Sequence, residues 1–138
     1  MTEGRASGQG LVEALRHRRE RAEREVLVAA ARLRELEEAF GGARAEAARV
    51  EAEQAALDAR RAPGELPALP GFLEACGCSR LALRDVRAVL EAADAERTVA
   101  RAVLEQARGS LALAAGRARA FERLHSRRRR YPAEDADE

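Results

Sequence analysis

The chain has 138 residues, and Ala (33), Arg (25), Glu (19) and Leu (16) fill 93 of them. Such a composition belongs to long helices and coiled coils. With eight Val, three Phe and one Tyr, it leaves too few strand formers for a β-rich fold or a conventional α/β enzyme. Formal net charge is +1 at pH 7, so bulk charge selects no partner and only its distribution along the chain is informative.

Residues 1–10 hold three Gly and one Ser without an apolar pattern and read as a disordered leader. Helical periodicity begins at Leu11. From Ala22 the apolar positions step by four and three through Val26, Ala29, Leu33, Leu36, Phe40, Ala43, Ala47, Val50, Gln54 and Leu57. An alternation this long is a coiled-coil seam rather than the broad stripe of a globular helix. Upstream, Leu11, Leu15 and Arg18 join it through two consecutive steps of four, a local stutter. The predicted first helix is 11–62. Gly41-Gly42 lies inside it at a cost of about 2 kcal/mol relative to two Ala. The seam keeps its register across the pair, which favours a soft spot over a break. A three-helix bundle with a turn at the Gly pair stays open as the alternative.

Residues 63–79 form the predicted connector. Pro63, Pro67 and Pro70 fall within eight residues and cannot continue a helix. The connector also carries Leu66, Leu69, Phe72 and Leu73, which either cap the hairpin or form a small apolar patch for a partner. Ser79 is placed as the N-cap of the second helix, 80–131. Its seam runs through Leu83, Val86, Leu90, Ala93, Arg97, Ala100, Leu104, Ala107, Leu111, Ala114, Ala118 and Phe121. Pro132 ends it by pushing Tyr131 out of helical geometry, and 132–138 is an acidic tail. Two helices of nearly equal length, each about 75 Å long at 1.5 Å per residue, joined by one connector, predict an all-α fold. It is a long antiparallel two-helix coiled-coil hairpin with a Pro/Gly-rich connector.

Residues for chemistry are sparse. The sequence holds no phosphate loop, no GxGxxG, no nucleophile elbow and no HExxH, so no catalytic residue, metal ligand or cofactor is assigned. His17 and His125 would lie near each other at the open end if the hairpin folds about residue 71. Without a fixed carboxylate or thiol beside them they read as surface histidines. Cys76 and Cys78 read as free thiols at the bend. Together with the lack of a signal peptide and of any apolar run near 18 residues, they suggest a cytoplasmic protein.

Charge is unevenly spread. Residues 16–24 carry five Arg and two Glu, and 117–130 carry seven Arg and one Glu, a net +9 that a hairpin collects at its terminal end. Residues 35–65 carry eight acids against four Arg, so the chain turns mildly acidic towards the bend.

The opening segment Leu11-Val12-Glu13-Ala14-Leu15-Arg16-His17-Arg18-Arg19-Glu20-Arg21-Ala22-Glu23-Arg24-Glu25 and the closing segment Phe121-Glu122-Arg123-Leu124-His125-Ser126-Arg127-Arg128-Arg129-Arg130-Tyr131 carry a family likeness. The chain resembles the FliJ/YscO family, central-stalk components of the export ATPase complex in flagellar and type III secretion. The Pro-rich connector and the Gly pair depart from the commonest family pattern. The resemblance implies a non-enzymatic part. It would enter the hexameric export ATPase, link it to the export gate protein and in some cases handle secretion chaperones, at the cytoplasmic face of the apparatus. On that analogy the ATPase contact falls to Arg16, Arg18, Arg19, Arg123, Arg127 and Arg128, and the gate contact to Leu69 and Phe72. A coiled-coil adaptor or dimeric scaffold is the alternative, and a nucleic-acid-binding helical protein, lacking supporting aromatics, comes third.

Overall fold

The computed structural model describes residues 2–61 and 70–130, with side chains over 8–60 and 71–130. They form two helices, α1 (Thr2–Arg61) and α2 (Pro70–Arg130), packed against each other as an antiparallel coiled-coil hairpin. The chain divides into two compact units, a terminal one of Met1–Ala31 with Ala102–Glu138 and a central one of Arg32–Arg101.

Burial follows the four–three periodicity. Every seam position from Ala22 to Leu57 on α1, and from Leu83 to Phe121 on α2, is buried or half-buried, whereas their neighbours are mostly exposed. The core is thin. Among the described residues, six of the eleven buried apolar residues are Ala and no large side chain is completely enclosed, so no single layer can dominate stability. Two seam positions are polar. Gln54 is 8% exposed, and its Nε2 donates to Asp58 Oδ1 at 3.1 Å while Oε1 has no partner among the described residues. The guanidinium of Arg97 lies 3.8 Å over the centre of the Phe40 ring and pairs with Asp94 at 2.7 Å. A cation over an aromatic face can occupy a seam position that Leu would otherwise fill.

Both helices are longer than the sequence predicts. α1 starts at Thr2, so residues 2–10, expected as a disordered leader, are helical. Gly8 there faces the imidazole of His125, where a Cβ on Gly8 would lie 3.5 Å from Nδ1. A partner helix outweighs the poor propensity of the glycines. α2 starts at Pro70 rather than at residue 80. Proline is well suited to a first helical turn, because it has no N–H to leave unpaired and its φ is already helical. Ser79 is therefore no N-cap; it sits half-buried inside α2, and its hydroxyl has no partner among the described residues. The α2 seam extends backwards through Ser79, Cys76 and Phe72 in the same steps. Cys76 is a core residue at 5% exposure and Cys78 is exposed, so the two thiols lie within a helix rather than at a bend. Residues 62–69, Tyr131 and 132–138 lie outside the described residues.

Two further expectations change. The upstream seam keeps the heptad frame through Gly8, Val12 and Leu15 to Ala22, with exposed Arg19 at the a position between the last two; Leu11 is 47% exposed and Arg18 is exposed, so the stutter is absent. Gly41 and Gly42 lie within α1, and a Cβ at either would meet nothing within 4 Å. Both face away from the partner helix, the chain does not turn there, and the three-helix alternative is excluded.

With Val26 and Leu83 both labelled position a of a heptad, the cross-helix ion pairs all join e positions. In the terminal unit Arg16 Nε meets Glu122 at 3.1 Å. In the central unit Arg101 meets Glu37 at 3.3 Å and Arg87 meets Glu51 at 3.8 Å. Pairing of e with e is what an antiparallel coiled coil presents along one flank. The residue numbers of each pair add to 138, which centres the hairpin near residue 69 rather than 71. The same register sets Arg44 opposite Asp94 and Asp58 opposite Arg80, again opposite charges.

Candidate functional site

The basic cluster belongs to the terminal unit, whose two helix segments contain all six arginines assigned to the ATPase contact. The six fall into two groups. Arg16 is engaged with Glu122, and Arg19 donates to Glu23 one turn further along α1 at 3.2 Å. Arg18, Arg123, Arg127 and Arg128 are exposed and make no ion pair among the described residues. These four guanidinium groups have hydrogen-bonding capacity to offer an acidic partner.

Local sequence explains their placement. Arg127 to Arg130 close α2, where cations meet the negative end of the helix dipole. Arg123 falls at an f position, directed away from the seam, and Arg18 at a g position on the flank opposite the e–e pairs, where the g residues of α2 near it are Arg117 and Leu124 and offer no carboxylate.

A shallow cleft of about 400 Å³ opens within this unit, lined by Gly8, Gln9, Phe121, Leu124, His125, Arg128 and Arg129. Sequence reading missed it. The signal was present in Gly8, which falls on the heptad once the seam is traced through Val12 and leaves the space a side chain would fill. The cleft brings Phe121 and Leu124 together with Gln9, His125 and two arginines, so its lining is part apolar and part basic.

The histidines are not brought together. His17 Nδ1 lies 3.7 Å from Glu20 on its own helix, whereas His125 lies against Gly8. The hairpin register sets the facing partner of residue 17 near 121, which explains the separation. Among the described residues no group of three or more His, Cys, Asp or Glu is arranged to hold a metal, and no helix is long and apolar enough to cross a membrane.

The gate-contact residues divide as well. Leu69 and its neighbour Leu66 lie outside the described residues. Phe72 is half-buried on the α2 seam, and the adjacent Leu73 is 53% exposed.

Among perturbed ionisations, Arg49 links Glu46 and Glu53 on the exposed face of α1. The hydrogen bond from Arg49 holds the Glu46 carboxyl below the usual range, and the same bond raises the guanidinium further. This is a solvated ion triplet at helical spacing and carries no reactive chemistry.

Fold and surface together define a helical hairpin of the antiparallel coiled-coil class, with an arginine-rich terminal unit. Compared with protein-family models, curated proteins and solved structures, the chain matches none.

Proposed function

We propose that this chain is a non-enzymatic stalk and coupling protein of a type III export apparatus, flagellar or virulence-associated. Its arginine-rich terminal unit enters the hexameric export ATPase, and its bend meets the export gate at the cytoplasmic face of the membrane. The observation that carries this reading is the set of four exposed arginines, Arg18, Arg123, Arg127 and Arg128, without ion-pair partners among the described residues of one unit. Unpaired cations on a two-helix element favour insertion among acidic side chains, where steering would speed the encounter. The resemblance of the opening and closing segments to the FliJ/YscO family supplies the identity of the ring.

The test measures ATP hydrolysis and oligomeric state of the cognate export ATPase, with and without this chain. Stimulation with a shift towards hexamer is expected, and replacing Arg127 and Arg128 by Glu abolishes it while circular dichroism shows unchanged helicity. Stimulation that survives the double replacement removes the arginines from the contact.

A second reading, a coiled-coil scaffold that assembles with itself, is favoured by the exposed apolar residues of α2. It predicts self-association with no effect on an ATPase.

A further inference from the structure

The a and d positions of α2 are covered by α1, yet a second stripe lies about 100° around the same helix, at positions c and g. Val89, Val99, Val103, Leu113 and Leu124 fall on it and are 51–64% exposed. The corresponding stripe of α1 also exposes Leu11 and Val28 but is mostly charged, with Arg18, Arg21, Glu25, Arg32 and Glu35 among its members. The feature therefore belongs to α2 and does not follow from composition alone. Exposed apolar side chains recurring at helical spacing, interspersed with charged ones, mark a surface for another helix.

The charged members of the stripe identify that helix. Asp85, Glu96, Arg117 and Arg127 also occupy c or g positions, all four are exposed, and none makes an ion pair among the described residues. When the stripe is laid antiparallel to itself about Gln106, c positions meet c and g positions meet g to within one residue: Glu96 falls opposite Arg117 and Asp85 opposite Arg127. In the same register Val89 falls opposite Leu124 and Val99 opposite Leu113. Charges meet opposite charges, and four of the five exposed apolar residues meet apolar ones, while Val103 falls opposite Ser110. A slip of one heptad destroys the match: one direction sets Glu96 against Leu124 and Val103 against Arg117, the other sets Val89 against Arg117. A surface complementary to its own reversal is the requirement for a two-fold symmetric dimer.

We infer that two copies of this chain associate through the c/g face of α2, antiparallel about a two-fold axis at Gln106, held in register by Glu96–Arg117 and Asp85–Arg127 pairs between copies. The partner is a second copy of this chain, and the pairing does not depend on the export ATPase. Arg127 is common to both surfaces, so a chain bound in the ring would give up one of these pairs.

The experiment is sedimentation equilibrium of the full chain over about a hundredfold range of concentration, where association shows by mass action. The mass is expected to rise from 15.0 kDa towards twice that value. Glu96→Arg and Arg117→Glu each place like charges together twice per dimer and should each weaken association at least about tenfold. Mixing the two variants restores opposite charges at both places. The introduced arginine of one copy faces the introduced glutamate of the other, and the native Arg117 of the first faces the native Glu96 of the second. The mixture should therefore form a heterodimer about as tight as the parent. Both sites are exposed, and circular dichroism of each variant checks that the hairpin is intact. A monomer at every concentration overturns the inference. So does a dimer indifferent to both reversals, or a mixture no tighter than its separate components.

Discussion

Between Ala22 and Leu57 on α1 and Leu83 and Phe121 on α2, two polar residues interrupt the apolar seam, and they do so differently. Arg97 keeps its head on the Phe40 ring and on Asp94, so its charge is answered, although its Nε has no hydrogen-bond partner among the described residues. Gln54 is more deeply buried, and its carbonyl oxygen has no partner among the described residues. A polar side chain at a seam position lowers stability while helping to fix register. Gln54→Leu is therefore expected to stabilise the hairpin by about 1–2 kcal/mol in urea unfolding. An unchanged or lower midpoint would mean that an ordered water satisfies Oε1. The seam itself was legible from the sequence, because burial at each position depends on a local period. Arg97 counted there only as an exception, since its partner Phe40 lies on the other helix.

At the scale of the helices, the glycine pair tests how much local propensity matters. Gly41 and Gly42 lie inside α1, and a methyl group at either would meet open space. Replacing both by Ala should add about 2 kcal/mol, the propensity difference alone, with no new contact. A smaller gain would show that α1 frays at this point in solution. The two helix starts, at Thr2 and Pro70, illustrate the opposite balance. Gly-rich and Pro-rich segments read as non-helical because propensity is weak there. In the structure Gly8 faces His125 across the hairpin, and Phe72 and Cys76 continue the α2 seam. Packing against a partner helix overrides a propensity deficit of this size.

For the molecule as a whole, the antiparallel register is written in the e positions. Reversing one charge, as in Glu37→Arg, sets two cations together at a solvated flank and should cost about 0.5 kcal/mol. Adding Arg101→Glu should restore the parent midpoint, and both differences should shrink in high salt. Failure of the second change to compensate would remove this pair from the determinants of register.

Composition and the four–three period were sufficient to establish two long helices and the antiparallel hairpin, because heptad periodicity is a one-dimensional property that any stretch of chain carries alone. They also located the arginine-rich segments. The tertiary structure decided what depends on the facing helix: a centre near residue 69, Cys76 in the core, and Arg16 tied to Glu122 while Arg18, Arg123, Arg127 and Arg128 stay exposed without ion-pair partners among the described residues. A shift of two residues in register changes which side chains meet across the seam, and no single helix holds that information.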